Sequence, residues 1–145
     1  MDKYGLIGYP LGHSFSKNYF NEKFENEGID ATYINFEIPT IEDLAEVLDS
    51  NPELKGFNVT IPYKEKVISY LDYVSPEANA IGAVNVIRVI HKGKDIVLRG
   101  YNSDVIGFTQ SIEPFIEFSR DCFFFFCRQI IFPPVSFLEM LRSRI

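Results

Sequence analysis

Tryptophan is absent from the 145-residue chain, and methionine and cysteine occur only twice each. No run of about 18 apolar residues is available to span a bilayer, and the N-terminus lacks the basic-then-apolar order of a secretory leader. Basic residues are scarce as well. There are 14 Lys and Arg against 20 Asp and Glu, a formal charge of −6. A negative chain repels phosphate backbones and anionic lipid, which argues against nucleic acid or a membrane as partner. The two cysteines flank Phe123, Phe124, Phe125 and Phe126 with no histidine nearby, and His13 and His91 are far apart, so no metal centre is expected. Hydrophobic residues at 46% and charged residues at 23% are those of a globular chain. The expectation is a soluble cytoplasmic protein with one domain of ordinary size.

The averages hide a break near residue 117. Residues 118–145 contain no Gly, Lys or Tyr, yet hold both cysteines, four Arg and seven of the 14 Phe. Residues 1–117 carry 10 basic and 18 acidic groups, a net of −8, whereas the tail is net positive at +2. Residues 1–117 therefore read as one coherent domain, and 118–145 as an atypical tail.

Strand-like and helix-like segments alternate through the first 117 residues. Tyr4 to Tyr9 is a buried strand closed by Pro10 and Gly12. A helix is expected from Phe15 to Glu27, with Tyr19, Phe20 and Phe24 on one face and Gly28 at its end. Strands follow at Thr32–Ile38 and Gly56–Ile61, separated by a helix from Thr40 to Asp49 with Thr40 and Asp43 as capping partners. Tyr63–Leu71 reads as helical, and Ser75–Ala80 as a short turn or helix. Ala83–His91 and Asp95–Tyr101 form a hairpin across Lys92, Gly93 and Lys94. A last helix begins at Ser103 or Asp104 and runs to about Glu113. This order implies an α/β fold: a mostly parallel sheet with helices on both faces and one antiparallel hairpin strand.

Ligands of such sheets bind beyond the carboxyl ends of the strands. The first of these loops, Gly8 to Ser16, fits neither the G-x-G-x-x-G pattern nor the phosphate loop that ends in Lys-Ser or Lys-Thr. Its Ser14 and Ser16 would place two hydroxyls at a helix N-terminus, which suits a carboxylate. Asn58, Thr60 and Lys64 put an amide, a hydroxyl and an ammonium at the end of the third strand. Asn85 sits in an apolar strand and needs partners for its amide. Asn102 and Asp104 stand where a strand becomes a helix, and Asp104 is placed to pair with Lys64. Each has a plainer role available: one serine as a helix cap, Lys64 as a solvated charge, Asp104 as a cap. Together they offer neutral hydrogen-bonders, one cation and one carboxylate, an inventory suited to a small polyhydroxylated acid.

The motifs GHSFS, NVTIPYK, IGAVN and GYNSD, in this order and at these separations, resemble the substrate-binding domain of shikimate dehydrogenase over residues 4–117. The resemblance implies NADPH-dependent reduction of 3-dehydroshikimate to shikimate, on the route to aromatic amino acids. It implies that Ser14 and Ser16 hold the substrate carboxylate, and that Thr60, Asn85 and Asp104 bind ring hydroxyls with Asn58 beside them. Lys64 and Asp104 match the catalytic pair: Lys64 stabilises and protonates an alkoxide-like oxygen, while Asp104 orients a hydroxyl and favours the charged ammonium. No metal is implied.

Two departures accompany the resemblance. Ser16 is followed by Lys17 rather than proline, and Phe20 rather than histidine precedes Asn21. The family would also continue past Glu117 into a strand and a glycine-rich NADP loop, and residues 118–145 contain no glycine to build one. The expectation is a substrate-binding half whose tail reflects truncation or a shifted reading frame, with no cofactor site of its own. A non-catalytic binding module for shikimate- or quinate-like acids is the second reading.

Overall fold

The computed structural model describes residues 1–12 and 15–112. Ser14 lies outside the described residues, as do His13, Glu113 and the whole of 118–145 with its expected tail. The strands are β1 (Asp2–Gly8), β2 (Ala31–Glu37), β3 (Leu54–Val59), β4 (Tyr73–Val74), β5 (Val86–Lys92) and β6 (Asp95–Tyr101). The helices are α1 (Ser16–Asn26), α2 (Leu44–Asp49), α3 (Pro76–Ile81) and α4 (Asp104–Ile112), with 3-10 turns at Ile41–Asp43 and Lys66–Tyr70. One six-stranded sheet has the order β2-β1-β3-β5-β6-β4.

β1 is parallel to both β2 and β3, so Leu6 pairs with Asn35 on one side and Asn58 on the other. β5 runs antiparallel to β3 and β6, and β4 is parallel to β6. A single antiparallel strand in an otherwise parallel sheet is the expected α/β architecture. β1 is an uninterrupted buried run from Gly5 to Gly8 because both of its faces are covered. Gly5 permits the close approach of β2: a Cβ there would stand 2.4 Å from the Phe36 ring and 2.6 Å from the Ile34 carbonyl oxygen.

The alternation of β1 divides the core. Ile7 joins Leu44, Leu54, Phe57, Val67 and Ile87 beneath α2, α3 and the second 3-10 turn. Leu6, Leu11 and Tyr33 pack on the other face with Phe20 and Phe24 of α1. The Phe20 ring stacks on Tyr33 at 4.7 Å between centroids. Tyr19 does not join them. It is 60% exposed and meets Phe20 only edge-on, because its position on α1 turns it past the edge of the apolar stripe.

Several local expectations are corrected. Tyr63–Leu71 is no α-helix; it holds one five-residue 3-10 turn, since Val67, Ile68, Ser69 and Tyr70 are all weak helix formers. The helix beginning at Thr40 is split between a 3-10 turn and α2, although the Asp43 carboxylate does accept from the Thr40 N–H and hydroxyl at 3.1 Å. Ala83–Asn85 precedes β5 rather than belonging to it. β4, only two residues long, carries no sequence pattern. α3 is bounded as its sequence dictates: Ser75 accepts from the Ala78 N–H at 3.2 Å, and Gly82 ends the helix at φ +74°.

Candidate functional site

Lys64 is fixed by its neighbours. Tyr63 is buried at 2% exposure and donates its hydroxyl to the Ile38 carbonyl at 2.7 Å. Burial first, then the charges of Asp43 and Glu42, push its phenol upward from the ordinary tyrosine value. The Lys64 carbonyl accepts from the Val84 N–H at 2.7 Å, tying this loop to the IGAVN segment. From this anchored backbone the Lys64 ammonium reaches Asp104 Oδ2 at 2.6 Å, across 40 residues of sequence.

Asp104 is the first residue of α4, where a carboxylate meets the positive end of the helix dipole. It is not the helix cap. Asn102, 5% exposed, accepts from the Val105 N–H at 3.2 Å and donates to the Ala83 carbonyl at 2.9 Å. The Asp104 carboxylate is thereby left for Lys64. The lysine side chain is 20% exposed and that of Asp104 is 47% exposed, so the pair stands at the mouth of the site rather than inside the core.

Asn58 and Asn85 meet between these elements. Asn58 Nδ2 lies 3.4 Å from the Asn85 carbonyl, and Asn58 Oδ1 accepts from the Tyr33 hydroxyl at 2.8 Å. Burial pushes the Tyr33 phenol up to about 12, so it remains a donor at neutral pH. Asn85 is 6% exposed; its Oδ1 accepts from the Ser103 N–H at 2.8 Å, and its Nδ2 donates to Ser103 Oγ at 3.0 Å. The Asn85 backbone continues the ladder, accepting from Val59 and donating to Tyr101.

Thr60 is half-buried just beyond β3, donating its N–H to the Ile7 carbonyl at 2.9 Å. Ser16 is half-buried as the first residue of α1, where the cap position belongs to Phe15 and no side chain caps the helix. Among the described residues, no hydrogen bond joins Ser16 or the Thr60 hydroxyl to the other predicted groups. The structure thus brings Lys64 to Asp104 and Asn58 to Asn85, with Thr60 and Ser16 on the same carboxyl side of the sheet. Tyr33, Ser103 and Asn21 were missed. Asn21 accepts from the Tyr33 N–H at 2.7 Å and donates to its carbonyl at 3.0 Å, fastening α1 to β2. The N-S-D run after β6 was the available signal for Ser103; Tyr33 and Asn21 carry none.

A separate cleft of about 580 Å3, lined by Ile41, Glu42, Tyr63, Lys66 and Tyr70 among others, contains none of these groups. A Cβ at Gly8 would stand 2.4 Å from Thr60 Cγ2 and 2.8 Å from Leu11 Cδ2, so the end of β1 packs closely against the residues that follow β3.

A mixed α/β sheet that gathers amides, hydroxyls and one ion pair at its carboxyl edge defines a small-molecule-binding domain of the α/β class. The chain belongs to the shikimate dehydrogenase substrate binding domain family, whose pattern matches residues 6–87. It is 45% identical over 112 residues to shikimate dehydrogenase (NADP(+)) of Staphylococcus aureus strain Newman, covering 76% of this chain and 40% of that protein. The shikimate dehydrogenase (NADP(+)) of Caldanaerobacter subterraneus subsp. tengcongensis is 41% identical over 116 residues, covering 79% and 40%. Among solved structures, shikimate 5-dehydrogenase of Thermus thermophilus in complex with shikimate superposes with a TM-score of 0.67 at 33% identity, covering 79% of this chain and 42% of that one. The chain spans about two fifths of the length of these curated relatives.

Proposed function

We propose that this chain is the substrate-binding part of an NADP-dependent shikimate dehydrogenase and binds shikimate and 3-dehydroshikimate. The observation that carries this reading is the Lys64–Asp104 contact of 2.6 Å at the carboxyl edge of the sheet, beside two oriented amides. Lys64 and Asp104 are the catalytic residues: the ammonium stabilises an oxygen that becomes negative and hands it a proton, and the carboxylate orients a substrate hydroxyl. Ser14 and Ser16 bind the substrate carboxylate, and Asn58, Thr60 and Asn85 bind ring hydroxyls. NADP is the co-substrate, bound by parts of the enzyme other than the described residues. Residues 1–117 form the substrate domain, and the enzyme works in the cytoplasm.

The test is calorimetric titration of the 145-residue chain with shikimate. Saturable binding that falls about 10- to 100-fold in Lys64→Ala supports the reading, the range expected for loss of a charged hydrogen bond. Absence of binding by the unaltered chain contradicts it.

A further inference from the structure

The orientation of both site amides is settled by partners that have no choice of role. The Asn85 carbonyl beside Asn58 only accepts, so the atom facing it is Nδ2 and the atom facing Tyr33 is Oδ1. The Ser103 N–H only donates, so the atom of Asn85 facing it is Oδ1. The Asn85 oxygen accepts from the Ser103 N–H and, at 3.3 Å, lies within reach of its hydroxyl, whereas the Asn58 oxygen accepts from Tyr33 alone among the described residues and keeps one lone pair. Each nitrogen has one hydrogen engaged internally, and its second hydrogen has no partner among the described residues.

We propose that Tyr33 and Ser103 are positioning residues that hold Asn58 and Asn85 so that each amide keeps one N–H free to donate to the ligand. The inference rests on the functional reading above and adds its specificity: a ring hydroxyl that meets these N–H groups is recognised through its lone pairs. Asp104, an acceptor only, is one group of the site able to take that hydroxyl's proton. Tyr33 suits the task because its ring is immobilised. It is 3% exposed, stacked on Phe20, and held at its backbone by Asn21. Without its hydroxyl, the half-buried Asn58 loses the partner of its oxygen among the described residues, and the amide is free to turn over.

The experiment is a double-mutant cycle on shikimate affinity with Tyr33→Phe, Asn58→Ala and the pair together. Tyr33→Phe is expected to weaken binding about fivefold in the unaltered chain and to add nothing once Asn58 is alanine. Ser103→Ala with Asn85→Ala is an independent arm if Tyr33→Phe fails to fold: it keeps the backbone N–H that fixes the Asn85 oxygen and removes the hydroxyl beside Nδ2, so a loss smaller than about fivefold, again absent once Asn85 is alanine, is expected. Equal losses in both backgrounds, or no loss at all, overturn the positioning role while leaving the functional reading intact. Failure of the unaltered chain to bind shikimate overturns both.

Discussion

Replacing Asn21 by alanine probes how the helix that carries Ser16 is held to the sheet. β2 is an edge strand, and the Asn21 carboxamide satisfies both the N–H and the carbonyl of Tyr33, at 2.7 and 3.0 Å. Two neutral hydrogen bonds are worth about 1 kcal/mol each, and both Tyr33 groups would be left partly buried without partners. The expected loss is about 2 kcal/mol. At about 4–8 °C per kcal/mol for a domain of this size, the melting temperature falls by roughly 10 °C. Alanine also gains helix propensity over asparagine, so Asn18→Ala, an exposed position on the same helix, supplies the correction. Circular dichroism melts of the 145-residue chain and the two variants are the assay. If Asn21→Ala melts with Asn18→Ala, the clip contributes nothing and the reasoning is wrong.

Three further outcomes are expected. Tyr63→Phe leaves the Ile38 carbonyl unpaired in the core and costs about 1–3 kcal/mol in denaturant unfolding; an unchanged midpoint refutes it. Asn35→Val raises the melting temperature, because Asn35 Oδ1 is buried without a partner among the described residues and a β-branched residue suits a strand. A lower value for that variant would show that the amide does more than fill space. At high pH, Tyr33 stays protonated in the fold to about 12 while its unfolded counterpart ionises near 10. Its stabilisation is complete below about pH 10 and is lost as pH climbs through 12, with Tyr63 displaced in the same direction. Absorbance titration near 295 nm checks this, and a Tyr33 phenol titrating near 10 in the native state contradicts it.

The sheet was legible because its strands are apolar runs closed by Pro, Gly and Asn, and because the hairpin turn is marked by Gly93 at φ +64°. Lys64 and Asp104 were legible from their place after strands, before any distance was known. Tyr33 was not. It reads as one more aromatic in a strand, and what sets it apart is a hydroxyl meeting Asn58 from 25 residues away. Ser103 resembled a helix start, yet its contribution lies with Asn85, 18 residues earlier. Such pairings depend on strand order, β2 and β3 flanking β1 and β5 lying between β3 and β6, which no local pattern encodes. The 3-10 turn at Lys66–Tyr70 was misread because apolar spacing alone does not separate one tight turn from a short α-helix.

The central claim is that one ligand site lies at the carboxyl edge of this sheet, and amide chemical-shift mapping during titration with shikimate tests it most directly. Saturable shifts are expected at Ser14, Ser16, Asn58, Thr60, Lys64, Asn85 and Asp104, with the cleft between Thr40 and Tyr70 unaffected. Shifts confined to that cleft, or none at saturating shikimate, would contradict it.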